Sequence, residues 1–207
     1  QALGGNFISV GASYDYASLG CTHHCPGDVG ILQYIPGMEI YVPGTSEEFD
    51  ALFKSSYDNG KPSYFRLSER ENSNSCISEH GKATVLKRGN DLTVIATGPV
   101  LDEVMPAIEG LDVNLIYFNS ISPFDKDILQ QNISKTGKIL SIEPFYSGTT
   151  AKAIYESFSE IDNQILLKSI GVPNNFLRSY GKAEEHDKEI GLSEENIHKV
   201  AKELINA

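Results

Sequence analysis

Five consecutive residues, Cys21-Thr22-His23-His24-Cys25, put one hydroxyl, two imidazoles and two thiols into a single turn. An imidazole changes charge near working pH, so such a turn can donate a hydrogen bond to a reacting oxygen or exchange a proton with it. The same side chains are metal ligands. Cys21 and Cys25 read C-x3-C, and Cys76 with His80 reads C-x3-H, so four soft ligands for zinc exist on paper. C-x3-C in a tight turn is less usual than C-x2-C, and the thiols fit equally well as small buried residues. Charged candidates flank the turn: Asp15 ahead of it, Asp28 after it, and Arg66 and Arg70 farther along.

Hydrophobic periodicity shows which elements must hold these groups. Asn6–Gly11 reads as a buried strand and Ala12–Leu19 as the polar, aromatic loop that leads into the turn. Gly27–Tyr34 is a short helix with Asp28 in its first turn, where a carboxylate meets the positive end of the helix dipole. Met38–Val42 is a strand. Thr45 and Glu48 form a capping-box pattern ahead of an amphipathic helix over Glu47–Tyr57, and Ser63–Leu67 is the next strand. Polar side chains delivered at a strand's carboxyl end, beside a helix amino terminus, are how open α/β sheets build a site. This is half of a doubly wound unit, over residues 1–70, and it lacks its beginning.

Residues 71–84 fall in a polar stretch without period and read as a linker. A second α/β unit spans residues 85–207. Its strands are Leu92–Thr97, Val113–Phe118, Lys138–Ile142 and Ile165–Ile170, interleaved with helices and closed by a carboxyl-terminal helix behind Ser193. The continuous apolar run LTVIAT suits a parallel strand covered on both faces. The fold class expected is therefore α/β, a partial doubly wound domain followed by a second, small domain with a mainly parallel sheet.

A net charge of −11, with no dense Lys/Arg cluster, argues against nucleic acid or an anionic membrane as a partner. No apolar run approaches the ~20 residues that span a bilayer, and no signal-peptide pattern opens the chain. Three cysteines fit reduced thiols better than a disulfide framework, so the expectation is a soluble, cytoplasmic protein. Neither G-x-G-x-x-G nor G-x4-G-K-S/T occurs, which weighs against a generic nucleotide binder.

The stretch LGCTHHCPGDVGILQYIPGMEIYVPG, residues 19–44, resembles the histidine loop of the transketolase family in order and spacing. That loop reads G-P-T-H-H/Q, then an acidic helix start, an I-P-x-M break and a strand ending in Pro. LTVIATGPVLDEV and ILSIEP, from residues 92 and 139, resemble the family's carboxyl-terminal domain. The resemblance implies a pyrimidine-binding domain over 1–70 and a transketolase C-terminal domain over 85–207. It implies catalysis by His23 and substrate contacts by Thr22, His24, Asp15, Arg66 and Arg70. It also implies thiamine diphosphate and Mg²⁺ in the parent enzyme, transfer of a two-carbon ketol unit between sugars or sugar phosphates, and a homodimer or an N-terminal transketolase subunit as partner.

Two departures shape this expectation. Transketolases usually carry an acidic pair where Ser18 and Leu19 stand. The family's cofactor-activating glutamate and stacking aromatics fall upstream of this loop, and its G-D-G diphosphate motif is missing. The chain therefore reads as a carboxyl-terminal fragment or subunit that binds no cofactor and is inactive alone, with cofactor-binding residues elsewhere and no metal ligands of its own. The beta subunit of a 2-oxoacid dehydrogenase, a deoxyxylulose-phosphate-synthase-like enzyme and a non-catalytic dimerisation module are the competing readings.

Overall fold

Two sheets, each following a run of apolar strand segments, make up the architecture. The computed structural model describes residues 3–160 and 164–207. The first sheet has the order β1-β3-β2-β7, built from β1 (Gly5–Ser9), β2 (Glu39–Tyr41), β3 (Pro62–Arg66) and β7 (Ser120–Ser122). β1, β3 and β2 are parallel, and β7 runs antiparallel to β2. Helices α1 (Asp28–Leu32) and α2 (Ser46–Ser56) pack beside it. Thr45 caps α2 as its sequence predicts, its hydroxyl accepting from the Glu48 amide at 3.2 Å.

The second sheet has the order β4-β6-β5-β8-β9. Its strands are β4 (Thr84–Lys87), β5 (Leu92–Thr97), β6 (Val113–Phe118), β8 (Lys138–Tyr146) and β9 (Leu166–Val172), all parallel except the antiparallel edge strand β4. Side chains alternate across it. Val94 and Ala96 enter one core layer with Val104, Leu115, Ile197 and Ala201, whereas Ile95 enters the opposite layer with Ile116, Phe118, Leu129 and Ile154. Helices α3 (Leu101–Ala107), α4 (Lys126–Asn132), α5 (Ala151–Ser157), α6 (Ala183–Ile190) and α7 (Glu194–Asn206) complete the unit.

Three features depart from the pattern reading. β1 is an edge strand rather than a buried one: among the described residues β3 is its only neighbour, and Phe7 and Ile8 are 55% and 50% exposed. β7, a three-residue strand from the second unit, completes the first sheet. Helix α6 is short and polar, turning only His186 and Asp187 fully inward. The polar stretch 68–83 holds no helix or strand but is tied to both units: Asn72 donates to the Gly98 carbonyl at 3.1 Å and accepts from the Leu101 amide at 3.1 Å, while its own backbone amide donates to Gly44 at 2.8 Å. Among the described residues no helix is long and apolar enough to cross a membrane.

Candidate functional site

The cysteine-histidine turn is the tip of a closed loop at the carboxyl ends of β1 and β3. The Cys25 amide donates to the Ser13 carbonyl at 2.8 Å, an isolated antiparallel bridge that pins the loop's two ends together. Inside the loop, His23 N donates to Gly20 O at 3.0 Å and His24 N to Cys21 O at 3.3 Å. Gly20 sits at φ 75°, ψ −176°, a conformation almost confined to glycine. A β-carbon there would also lie 2.6 Å from the ring of Tyr180.

Arg66 fastens the base of the loop. It is 1% exposed. Its Nε donates to Asp28 Oδ2 at 2.8 Å, and its Nη2 to Ser13 Oγ at 2.8 Å and to the Cys25 carbonyl at 3.4 Å. Tyr64 adds a second donor to Asp28 Oδ2 at 2.7 Å. The guanidinium carbon lies 5.6 Å from the Phe145 ring centroid. Ser13, the one non-glycine residue at positive φ among the described residues (54°), donates its hydroxyl to the Pro144 carbonyl. Arg66 is thus spent on holding the loop, and Asp28 is both helix-start residue and counter-ion.

The candidate residues divide between two places. Thr22 and His23 are exposed at the tip, Thr22 Oγ1 lying 3.0 Å from His23 Nδ1. A hydroxyl donating to Nδ1 leaves the imidazole proton on Nε2, the tautomer that can hydrogen-bond an oxygen of a bound molecule. His24 turns the other way, packing edge-on against Tyr14 and His186. Burial, followed by the neighbouring His186, holds its pKa below the usual histidine value. Asp15 accepts from Ser68 Oγ at 3.1 Å and from the Glu69 amide at 2.9 Å, and burial raises its carboxyl pKa. Arg70 is gripped by Asp187 at 2.8 Å and by Glu103.

The four soft ligands are not brought together. Cys21 and Cys25 lie in the turn; Cys76 sits beside Glu48, to which its amide donates, and His80 Nε2 lies 3.3 Å from Glu39. Among the described residues no group of three or more His, Cys, Asp or Glu could hold a metal ion. The residues that sequence reasoning missed, Ser13, Tyr14, His186 and Asp187, belong to no motif, and the last two are distant in sequence from the turn.

Two family models match in tandem: "Transketolase, pyrimidine binding domain" over residues 1–83 and "Transketolase, C-terminal domain" over residues 81–197. The chain belongs to the transketolase family. That family depends on thiamine diphosphate. The chain is 30% identical over 200 residues to an uncharacterized 33.6 kDa protein in the fasciation locus of Rhodococcoides fascians, covering 95% of this chain and 64% of that protein. It is 28% identical over 209 residues to one subunit of the apulose-4-phosphate transketolase of Phocaeicola vulgatus, covering 96% and 66%. In fold it is similar to a split gene transketolase, solved as an inactive beta4 tetramer, with a TM-score of 0.80 at 21% identity, over 97% of this chain and 66% of that one. The chain therefore spans about two thirds of these relatives' length.

Thiamine diphosphate requires a carboxylate free to engage its aminopyrimidine. Around the sheet ends, Asp28 is held by Arg66 and Tyr64. Glu39 is held by Tyr41, Asn59 and Lys61, and Glu143 by Thr150 and Ser141. Asp28 is engaged through Oδ2 alone; its Oδ1 is buried without a hydrogen-bond partner among the described residues.

Proposed function

We propose that this chain is the carboxyl-terminal part, or the smaller subunit, of a transketolase-type transferase that moves a two-carbon ketol unit between sugars or sugar phosphates. An N-terminal transketolase subunit or segment would hold thiamine diphosphate and Mg²⁺, in an assembly built on a homodimer. The chain alone would bind no cofactor and would turn nothing over. Free thiols and an acidic surface suit a cytoplasmic setting.

The observation that carries this reading is the exposed Thr22–His23 pair on a clasped loop, within a chain matched by both family models. His23, oriented by Thr22, is the catalytic residue: it hydrogen-bonds the substrate's carbonyl or hydroxyl oxygen and exchanges a proton with it. His24 and Asp15 shape the wall behind it. Of the two arginines, Arg70 keeps a quarter of its side chain exposed and can meet a substrate anion, while Arg66 acts through the loop.

The test combines the purified chain with an N-terminal transketolase subunit, thiamine diphosphate and Mg²⁺, using ketose and aldose phosphates as donor and acceptor. Turnover should appear only in the mixture. His23→Ala should lower kcat about 10²-fold or more, the usual scale for losing a general acid–base group, with the fold intact because the side chain is exposed. Turnover by the chain alone, or an unimpaired His23→Ala variant, would refute the proposal.

A further inference from the structure

The loop that carries His23 is fastened at its base by Arg66, but its inner side meets the second unit through a separate contact. His24 and His186 pack with ring centroids 5.6 Å apart and planes at 78°. Tyr14 closes the triangle at 6.5 Å from His24 and 5.7 Å from His186. His186 is buried, and it lies on α6, far along the chain from the turn. Beside it, Asp187 accepts from the Tyr14 hydroxyl and from Arg70, and Arg70 reaches Glu103 on α3. Both ring nitrogens of His24 and the Nε2 of His186 have no hydrogen-bond partner among the described residues. Ring packing is therefore the contact that joins the two imidazoles, with Glu189 3.9 Å from the remaining nitrogen of His186.

We propose that His186 is a positioning residue: through its edge-to-face contact with His24 it docks the histidine turn onto helix α6, so that the second unit sets where His23 stands. The role of His23 in catalysis belongs to the function proposed above, but the docking itself is read without any turnover. Edge-to-face packing is a preferred arrangement of aromatic rings. The groups that face the pair are Tyr14, His23 and Cys21 from the loop, Tyr146 from β8, and Glu189 on α6, whose carboxylate lies 3.9 Å from His186 Nδ1. Asp187, Arg70 and Glu103 neutralise one another in part behind Tyr14. Protonating His24 brings a charge into this contact, with one exposed carboxylate on α6 to offset it. Burial disfavours the charged form of His24, so docking is fully present above the ordinary histidine pKa and weakens as pH falls below it.

Amide hydrogen exchange on the 207-residue chain tests this, read at the hydrogen-bonded amides of His23, His24 and Cys25 and, as a reference, along β5. His186→Ala should speed exchange of the three turn amides about threefold to tenfold, the scale of one aromatic pair, and leave β5 unchanged. His186→Phe should restore most of the protection. In the parent protein, exchange at the turn, corrected for intrinsic chemistry, should rise as pH falls below about 6.5, and His186→Phe should reduce that rise. The His24 ring proton should also carry a ring-current shift that His23 lacks, a reading that needs no variant. Unchanged turn amides in His186→Ala, acceleration spread evenly over the chain, failure of His186→Phe to restore protection, or an unshifted His24 resonance would each overturn the proposal.

Discussion

Arg66 illustrates how a side chain's chemistry depends on where its guanidinium is spent. Facing solvent it would be an anion site; buried against Asp28, Ser13 and the Cys25 carbonyl, it is a fastener. Breaking a buried pair by removing one partner leaves an uncompensated charge and costs about 3–5 kcal/mol. Arg66→Met should therefore destabilise the protein by about that amount in urea unfolding, and Arg66→Lys should recover little, since one ammonium cannot replace the fork that spans three acceptors. Glu143 is a second buried case. It is fully enclosed, with Thr150 Oγ1 at 2.8 Å and Ser141 Oγ at 3.2 Å, yet burial pushes its carboxyl up to about 7. A carboxyl whose folded pKa is raised stabilises the fold at low pH, and that contribution is lost as pH rises through the folded value. The parent protein should lose stability between about pH 4.5 and pH 7, on the order of 3 kcal/mol from this group. Glu143→Gln should flatten that slope, and urea midpoints for the two proteins at both ends of the range decide the matter. Parallel pH dependences would exclude Glu143 as the source.

At the scale of elements, the loop depends on glycine where the backbone leaves L-residue territory. Gly20→Ala meets both an almost glycine-only φ/ψ pair and the ring of Tyr180, and should cost about 1–3 kcal/mol. Adding Tyr180→Ala should return only the part due to the ring, so the residual loss in the double variant measures the backbone strain. If Gly20→Ala unfolds at the parent midpoint, the conformation assigned to the turn is wrong. The same elements show what a sequence can disclose. β5 and β6 are legible because both faces are covered, so nearly every residue is apolar or small. β1 is legible as a strand but not as an exposed edge: its apolar content is the same whether one neighbour or two lie beside it, and neighbours are a property of topology. β7 is three residues long, too short for any period to show. Helix α6, AEEHDKEI, has a polar composition that suits a surface helix, and only tertiary packing turns His186 and Asp187 inward. The turn itself is legible as chemistry because its residue types cluster in sequence. Its fastenings are not, since Ser13, Tyr14, Arg66 and His186 are brought together only by the fold.

At the scale of the whole molecule, the question is whether two units behave as one. Each has its own sheet and core layers, and family models divide the chain near residue 82. Two features argue for a single cooperative body. β7 crosses from the second unit to complete the first sheet, and Glu48 is a common acceptor between them. Its buried carboxylate receives the Gly44 amide at 2.9 Å from the first unit, the Cys76 amide at 2.8 Å from the connecting stretch, and the Tyr117 hydroxyl at 2.8 Å and Asn119 amide group at 3.3 Å from the second. Removing it takes the acceptor from four donors, of which the Asn119 amide group keeps the Cys76 carbonyl at 3.3 Å; a buried donor left unpaired costs about 1–3 kcal/mol, while neither core layer loses an apolar side chain. The loss therefore falls on the coupling between units more than on either unit's own stability. Calorimetry of the parent chain should show one transition with calorimetric and van't Hoff enthalpies in agreement. Glu48→Ala should split it into two, the lower one reporting the first unit, whose four-stranded sheet depends on a strand borrowed from the other. Two transitions in the parent, or one undisturbed transition in Glu48→Ala, would mean that the junction at Glu48 does not carry the coupling.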